Sequence, residues 1–167
     1  MYVIVVGAGK VGEHLIKHLY EHKVEITLIE EDPETAKRIS SETDILVINS
    51  SCVGTDVLDK VDMEKCDYFI SVTGHDEVNL FACLAAKKKG AKQVISRISN
   101  RKNTSIFEHF GVNMVVMPEI AAAEQILDEV VRPTSKVIKE FKVKNLELRE
   151  ISITNGSSKI VGKTVGE

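Results

Sequence analysis

Tyr2-Val3-Ile4-Val5-Val6-Gly7-Ala8-Gly9-Lys10-Val11-Gly12 passes from a β-branched apolar run into three glycines, and then into the helical spacing Val11, Leu15, Leu19. Gly-x-Gly-x-x-Gly alone is a weak signal. Here it joins a predicted strand to a predicted helix, and an acidic strand end at Glu30 follows about 20 residues later, the spacing of a dinucleotide-binding turn. Each glycine has its own physical task. Gly7 permits the tight turn, Gly9 lets the backbone approach a pyrophosphate with no side chain in the way, and Gly12 allows the helix to press on the sheet. The unpaired N–H groups and the positive dipole end of that helix then attract phosphates.

The same alternation continues along the chain. Apolar runs recur at Glu25 to Ile29, Ile45 to Asn49, Tyr68 to Val72, Gln93 to Arg97 and Val112 to Val116, which with Tyr2 to Val6 predict six strands. Between them Val78, Phe81, Ala82 and Ala85, then Ile106, Phe107 and Phe110, keep helical spacing. Strands that are apolar throughout need both faces covered, which a parallel sheet with right-handed helical crossovers supplies. The prediction is a doubly wound α/β fold, a parallel six-stranded Rossmann sheet.

Breakers agree with these boundaries. Pro33 after Asp32 marks a helix start, and Gly90 and Gly111 mark helix ends. A last helix begins after Pro118, carries the stripe Ile120, Ala123, Leu127 and Val130, and is expected to end at Arg132-Pro133. A nucleotide-binding domain is therefore expected over residues 1–133. Residues 134–167 read as a linker and the beginning of a small C-terminal domain, with an alternating strand clearest at Glu150 to Thr154 and a turn at Asn155-Gly156-Ser157-Ser158. Too little follows to bury a second core, so the chain is expected to stop inside that domain.

Composition narrows the function. A formal net charge of -3, with 43% hydrophobic and 28% charged residues, lies in the ordinary soluble range and exerts no pull toward nucleic acid. The apolar opening lacks a basic leader and breaks at Gly7, so it reads as a buried strand of a cytosolic protein rather than a signal sequence. Cys52, Cys66 and Cys83 are odd in number and lack Cys-x-x-Cys spacing, which predicts reduced thiols and neither a disulfide framework nor a zinc site.

Topology then nominates the binding residues. Glu30, with Glu31 or Asp32 as substitutes, is placed to accept from a ribose hydroxyl and to repel a 2′-phosphate, favouring NAD(H) or an unphosphorylated adenosine ribose. Ser51 and Cys52, in Asn49-Ser50-Ser51-Cys52, lie where an adenine ring would rest, and Thr73-Gly74 lies across the crevice. Thr73 could donate to a ligand or cap the next helix. Lys10 could meet a phosphate or be merely solvated. Arg97, Arg101 and Lys102 follow the fifth strand, where a phosphate or partner contact competes with solvation.

Other groupings read as surface. His14, His18 and His22 recur every four residues on one side of the first helix, but no cysteine or carboxylate completes a tetrahedral metal set. His75, Asp76 and Glu77 look like an acid-rich helix start, and Lys87-Lys88-Lys89 like cations complementing a helix end. A dehydrogenase normally adds a second domain with a catalytic acid or base, for which there is no room here. No catalytic and no metal-binding residue is expected. Binding without turnover is the better reading.

Gly7-Ala8-Gly9-Lys10-Val11-Gly12, Ser71-Val72-Thr73-Gly74 with Glu77 and Asn79, Ile95-Ser96-Arg97-Ile98 and Met117-Pro118-Glu119 together resemble one family. It is the Trk/Ktr potassium-transport regulators, the KTN or RCK domains, in their TrkA-like form. The likeness runs from Met1 to about Pro133, and Asn155 to Glu167 looks like the opening of the family's C-terminal ligand-binding domain. One departure is that Ser50-Ser51 stands where the family commonly shows Gly-Asp.

The resemblance implies a non-catalytic, cytoplasmic regulatory subunit, peripheral to the inner face of the cell membrane. Such a subunit gates a membrane potassium channel or transporter subunit according to bound NAD(H) or ATP/ADP. It implies pyrophosphate contacts from Gly7, Gly9, Lys10 and Gly12, with Val11 counted beside them among the cofactor-binding residues, a ribose contact from Glu30, and a subunit or cation contact from Glu119. It also implies a homodimer paired through the helix after Pro118 and assembled into a higher ring. Two alternatives stand beside it: a small NAD-dependent oxidoreductase or its cofactor domain, and a redox-sensing repressor, which would need a basic recognition helix that is not found.

Overall fold

The six predicted strands form as β1 (Tyr2–Val6), β2 (Glu25–Glu30), β3 (Leu46–Asn49), β4 (Tyr68–Ser71), β5 (Gln93–Arg97) and β6 (Met114–Val116) in the computed structural model. The structure describes residues 1–52, 55–131, 135–143 and 146–153. The helices are α1 (Lys10–Glu21), α2 (Pro33–Glu42), α3 (Thr55–Leu58), α4 (Asp76–Lys88), α5 (Thr104–His109) and α6 (Pro118–Val131). Contacts divide the chain into a unit Met1–Pro118 and a unit Glu119–Glu167.

In the first unit all strand pairs are parallel and the spatial order is β3-β2-β1-β4-β5-β6. The order reverses between β1 and β4, which opens a crevice beyond their carboxyl ends. The continuous apolar runs are explained by burial on both faces. Val3 and Val5 point into a core with Ile16 of α1 and Ile39 of α2, while Ile4 and Val6 point into a second core with Ala82, Cys83 and Ala86 of α4 and Phe107 of α5.

Local chemistry sets the helix ends. Asp32 caps α2 by accepting from the Thr35 N–H at 2.8 Å, with Pro33 in the first turn, as the pair predicts. Lys87 donates to the Gly111 carbonyl at 2.7 Å and Lys89 pairs with Asp59, so two of the three lysines tie α4 to neighbouring loops. Strand ends shift slightly from the sequence reading. β6 begins at Met114 rather than Val112, because the Val112 N–H closes the end of α5 on the Phe107 carbonyl. His14, His18 and His22 are exposed, with His18 against Glu21 at 3.3 Å and His22 Nδ1 against the His18 carbonyl at 2.8 Å.

The second unit contains α6 and an antiparallel hairpin of β7 (Ser135–Val143) and β8 (Leu146–Ile153). Part of the stretch read as linker is thus a strand. The alternation is hidden by a register shift between Val137 and Lys139, where an extra residue puts Val137 and Ile138 side by side in sequence. On α6 Ile126, Leu127, Val130 and Val131 are exposed. The expected helix end at Arg132-Pro133, the turn at Asn155-Gly156-Ser157-Ser158 and the family-like stretch through Glu167 lie outside the described residues. Among the described residues no helix is long and apolar enough to cross a membrane.

Candidate functional site

At the carboxyl edge of the sheet, the β1–α1 turn is shaped by two glycine contacts. Gly7 has φ +89, and a Cβ there would lie 3.0 Å from the Thr73 methyl; a Cβ on Gly12 would lie 2.0 Å from the Gly7 carbonyl oxygen. At Gly12 only a hydrogen fits, and at Gly7 the left-handed φ together with the close Thr73 disfavours any side chain. Gly9 differs, since a Cβ there would meet nothing within 4 Å. Its bareness leaves room outside the turn rather than inside it. Gly9 is also the N-cap of α1 and offers no side-chain cap, so the first N–H groups of the helix remain available to a ligand.

These elements border a cleft of about 510 Å³, within the roughly 300–1,000 Å³ span of small-molecule sites. Gly7, Gly9, Glu30, Cys52, Thr73 and Arg97 line it, as do Ser50, Gly74 and His75. His75 is the N-cap of α4 and likewise provides no side-chain cap, so a second helix start borders the same space.

Glu30 ends β2 and is buried. Its carboxylate accepts from the Ala8 N–H at 2.5 Å with one oxygen and from the Asp32 N–H at 2.8 Å with the other. It therefore staples the glycine turn to the end of β2. A carboxylate has about four lone-pair positions, and these two bonds occupy two of them. Asn49 holds the same corner by donating to the Glu30 and Glu31 carbonyls at 2.9 and 3.1 Å. Asp32, weighed as a substitute for Glu30, caps α2 instead, and the Thr35 hydrogen bonds hold its carboxyl below the ordinary range.

Four nominated residues stand off the cleft wall. Lys10 is exposed, Val11 packs half-buried on the α1-side core, Gly12 is sealed behind the turn, and Ser51 is exposed beside the lining residue Ser50. Cys52 lines the cleft, but burial pushes its thiol up to about 11, which leaves it protonated and weakly nucleophilic at neutral pH. Cys66 and Cys83 are also buried and free.

The wall formed by Thr73 and Arg97 depends on one residue that the sequence reading did not assign to the site, whereas Asp76, close by on α4, does not line the cleft. Asn79, fully buried on α4, accepts from the Thr73 N–H at 3.0 Å and the Thr73 hydroxyl at 2.7 Å, and donates to the Thr73 and Arg97 carbonyls at 3.1 and 3.0 Å. The Thr73 hydroxyl proton is thus spent inside the protein. The hydroxyl oxygen also accepts from the His75 N–H at 3.2 Å, so toward a ligand it presents one remaining lone pair and no proton. Asp76 accepts from the Ser99 and Asn100 N–H groups at 2.8 and 3.2 Å and from Asn103 at 2.8 Å. Burial pushes its carboxyl up, but these bonds outweigh burial and hold it below the ordinary range. A polar Asn at a core position of the Val78, Ala82, Ala86 helix face was the available signal.

Among the described residues no group of three or more His, Cys, Asp or Glu is arranged to hold a metal ion. Glu119 belongs to the second unit. The cleft can hold an elongated anion between two helix starts, with a carboxylate at one end and an arginine at the other.

Residues 3–118 match the family described as the TrkA-N domain. Trk system potassium uptake protein TrkA homologs from Archaeoglobus fulgidus and Methanothermobacter thermautotrophicus are 33% and 32% identical, each over all of this chain, which spans 38% of the first protein and 76% of the second. Solved structures share the fold at lower identity. The NAD(P)-binding domain of an exopolyphosphatase-related protein from Archaeoglobus fulgidus superposes with TM-score 0.69 at 21% identity, over 78% of this chain and 97% of that one. The GsuK channel bound to NAD gives 0.68 at 15%, over 91% and 28%, and a Shewanella denitrificans Kef CTD in AMP-bound form gives 0.68 at 14%, over 78% and 80%. By the extent of the family match and the identity with the Methanothermobacter protein, this chain belongs to the TrkA-N domain family.

Proposed function

We propose that this chain is the nucleotide-sensing part of a non-catalytic regulatory subunit that gates a membrane potassium uptake system in response to NAD(H) or ATP/ADP. The observation that carries the reading is the meeting, in one cleft, of two helix starts without side-chain caps, the Glu30 carboxylate and Arg97. Helix starts attract a pyrophosphate, and a carboxylate with open lone pairs accepts from ribose hydroxyls. Gly7, Gly9 and the backbone of Lys10, Val11 and Gly12 form the phosphate cradle, Glu30 takes the ribose, Cys52 and Ser50, in place of the expected Ser51, border the adenine, and Thr73 and Arg97 bound the far half. Glu30 and Glu31 together repel a 2′-phosphate, which favours NAD(H) over its phosphorylated counterpart.

The names of the relatives support the potassium-transport setting, and the NAD- and AMP-bound neighbours support a nucleotide ligand. In this reading residues 1–133 bind the nucleotide, and residues 134–167 begin a C-terminal ligand-binding domain. The subunit is cytoplasmic and peripheral to the inner membrane face, and it forms a homodimer through α6 within a larger ring on its membrane partner.

Calorimetric titration with NADH, NAD, ATP and ADP, beside a measurement of assembly size, tests the proposal. Saturable binding of at least one nucleotide by an oligomer is expected. A monomer with affinity for none of them overturns it, and so does turnover of NADH with a small hydroxy acid or aldehyde.

A further inference from the structure

The far wall of the cleft is built from two segments that are separate in sequence, the β4–α4 turn and the carboxyl end of β5, and one side chain joins them. Asn79 is completely buried. Its amide oxygen accepts from the Ser71 hydroxyl at 2.9 Å as well as from the Thr73 N–H and hydroxyl, and its amide nitrogen divides its two protons between the Thr73 and Arg97 carbonyls. Every donor of the amide is used.

An apolar residue would suit the helix face shared with Ala82 and Ala86, and burying an amide is unfavourable unless all its bonds are made. What the amide adds is a fixed spacing between Thr73 on one strand end and Arg97 on the next, both of which border the cleft. The neighbouring Asp76 makes an instructive contrast. It is also on the first turns of α4 and also accepts three hydrogen bonds, but its partners Ser99, Asn100 and Asn103 are not cleft-lining residues.

We infer that Asn79 is a positioning residue of the nucleotide site, setting the wall formed by Thr73 and Arg97 against the half of a dinucleotide that lies over the ends of β4 and β5. The inference rests on the nucleotide reading above. It makes a prediction that general destabilisation does not. A dinucleotide spans both halves of a doubly wound sheet, whereas a mononucleotide is satisfied by the glycine turn and the acidic strand end alone. Loosening the far wall therefore weakens NAD selectively over AMP.

The experiment is titration of the wild-type chain, Asn79→Ala, Ser71→Ala and Asp76→Ala with NAD and with AMP, with a thermal midpoint for each protein. Asn79→Ala is expected to weaken NAD about tenfold while AMP changes less than about twofold, a difference near 1.4 kcal/mol by the affinity relation. Ser71→Ala removes only the hydroxyl that anchors the amide and is expected to weaken NAD about threefold, which keeps the test open should Asn79→Ala not fold. Asp76→Ala is expected to lower the midpoint with NAD and AMP both little changed. Equal losses for NAD and AMP, or a selective NAD loss in Asp76→Ala matching that of Asn79→Ala, overturn the positioning role alone. Failure of the wild-type chain to bind either probe overturns the nucleotide reading, and the positioning role with it.

Discussion

The two ends of the sheet both carry a hollow, and the larger one lies at the wrong end for an anion. At the amino edge, a depression of about 960 Å³ is bordered by Tyr2, Thr27 and Leu46 at the strand starts and by Tyr20 and Glu21 at the end of α1. At the carboxyl edge the cleft is about 510 Å³. Volume therefore ranks the two in the opposite order to chemistry. Because all six strands are parallel and each crossover helix runs back, helix starts gather at one edge and helix ends at the other. The starts present unpaired N–H groups, and the ends present carbonyls. The amino-edge hollow mixes Lys23, Lys60 and Lys65 with Glu25, Asp44 and Asp62, Lys65 pairing with Asp62, and within it Tyr2 is hydrogen-bonded to Thr27 at 2.9 Å. Nothing there converges on one kind of charge.

Three substitutions distinguish a ligand at the carboxyl edge from one at the amino edge. Gly12→Ala forces a Cβ to within 2.0 Å of the Gly7 carbonyl oxygen, backbone that cannot step aside without opening the turn. It is expected to cost about 3 kcal/mol of stability, as severe overpacking does, and to abolish nucleotide binding. Urea unfolding and calorimetry read both. Retained binding would show that the turn at the carboxyl edge is not the cradle.

Gly9→Ala separates ligand from fold. With φ -66 at this residue and open space around its Cβ, an alanine is accommodated, so stability should change by less than about 0.5 kcal/mol. The added methyl occupies the approach to the α1 start, and affinity for NAD or ADP should fall about tenfold or more. Unchanged affinity would move the pyrophosphate elsewhere. The smallest effect belongs to the amino edge. Tyr2→Phe deletes the hydrogen bond to Thr27, costing about 1 kcal/mol in a thermal melt, while nucleotide affinity stays within about twofold. A larger loss of affinity would place the ligand in the amino-edge hollow instead.

The strands were legible because short runs rich in β-branched apolar residues recur between helical stretches, and β1 and β5 keep the limits that the pattern predicts. The β7 strand was not, since its register shift between Val137 and Lys139 breaks the period of two on which a strand is recognised. At the site, Glu30 was readable from its spacing behind the glycines. Its role as the staple of the Ala8 N–H was not, because a chain pattern says where a carboxylate falls and not which backbone groups approach it.

Sequence alone determined the common direction of the six strands of the parallel sheet, the three glycines and hence the edge at which a phosphate-seeking ligand would be met. Those follow from local sterics and from the periodicity of burial. Only tertiary structure decided which side chains meet across that edge. It exchanged Ser51 for Ser50 on the cleft wall, turned the Thr73 hydroxyl inward, and made Asn79 the tie between two strand ends. Hydrogen bonds between residues far apart in sequence depend on distances of a few tenths of an ångström, which the close packing of the whole sheet sets.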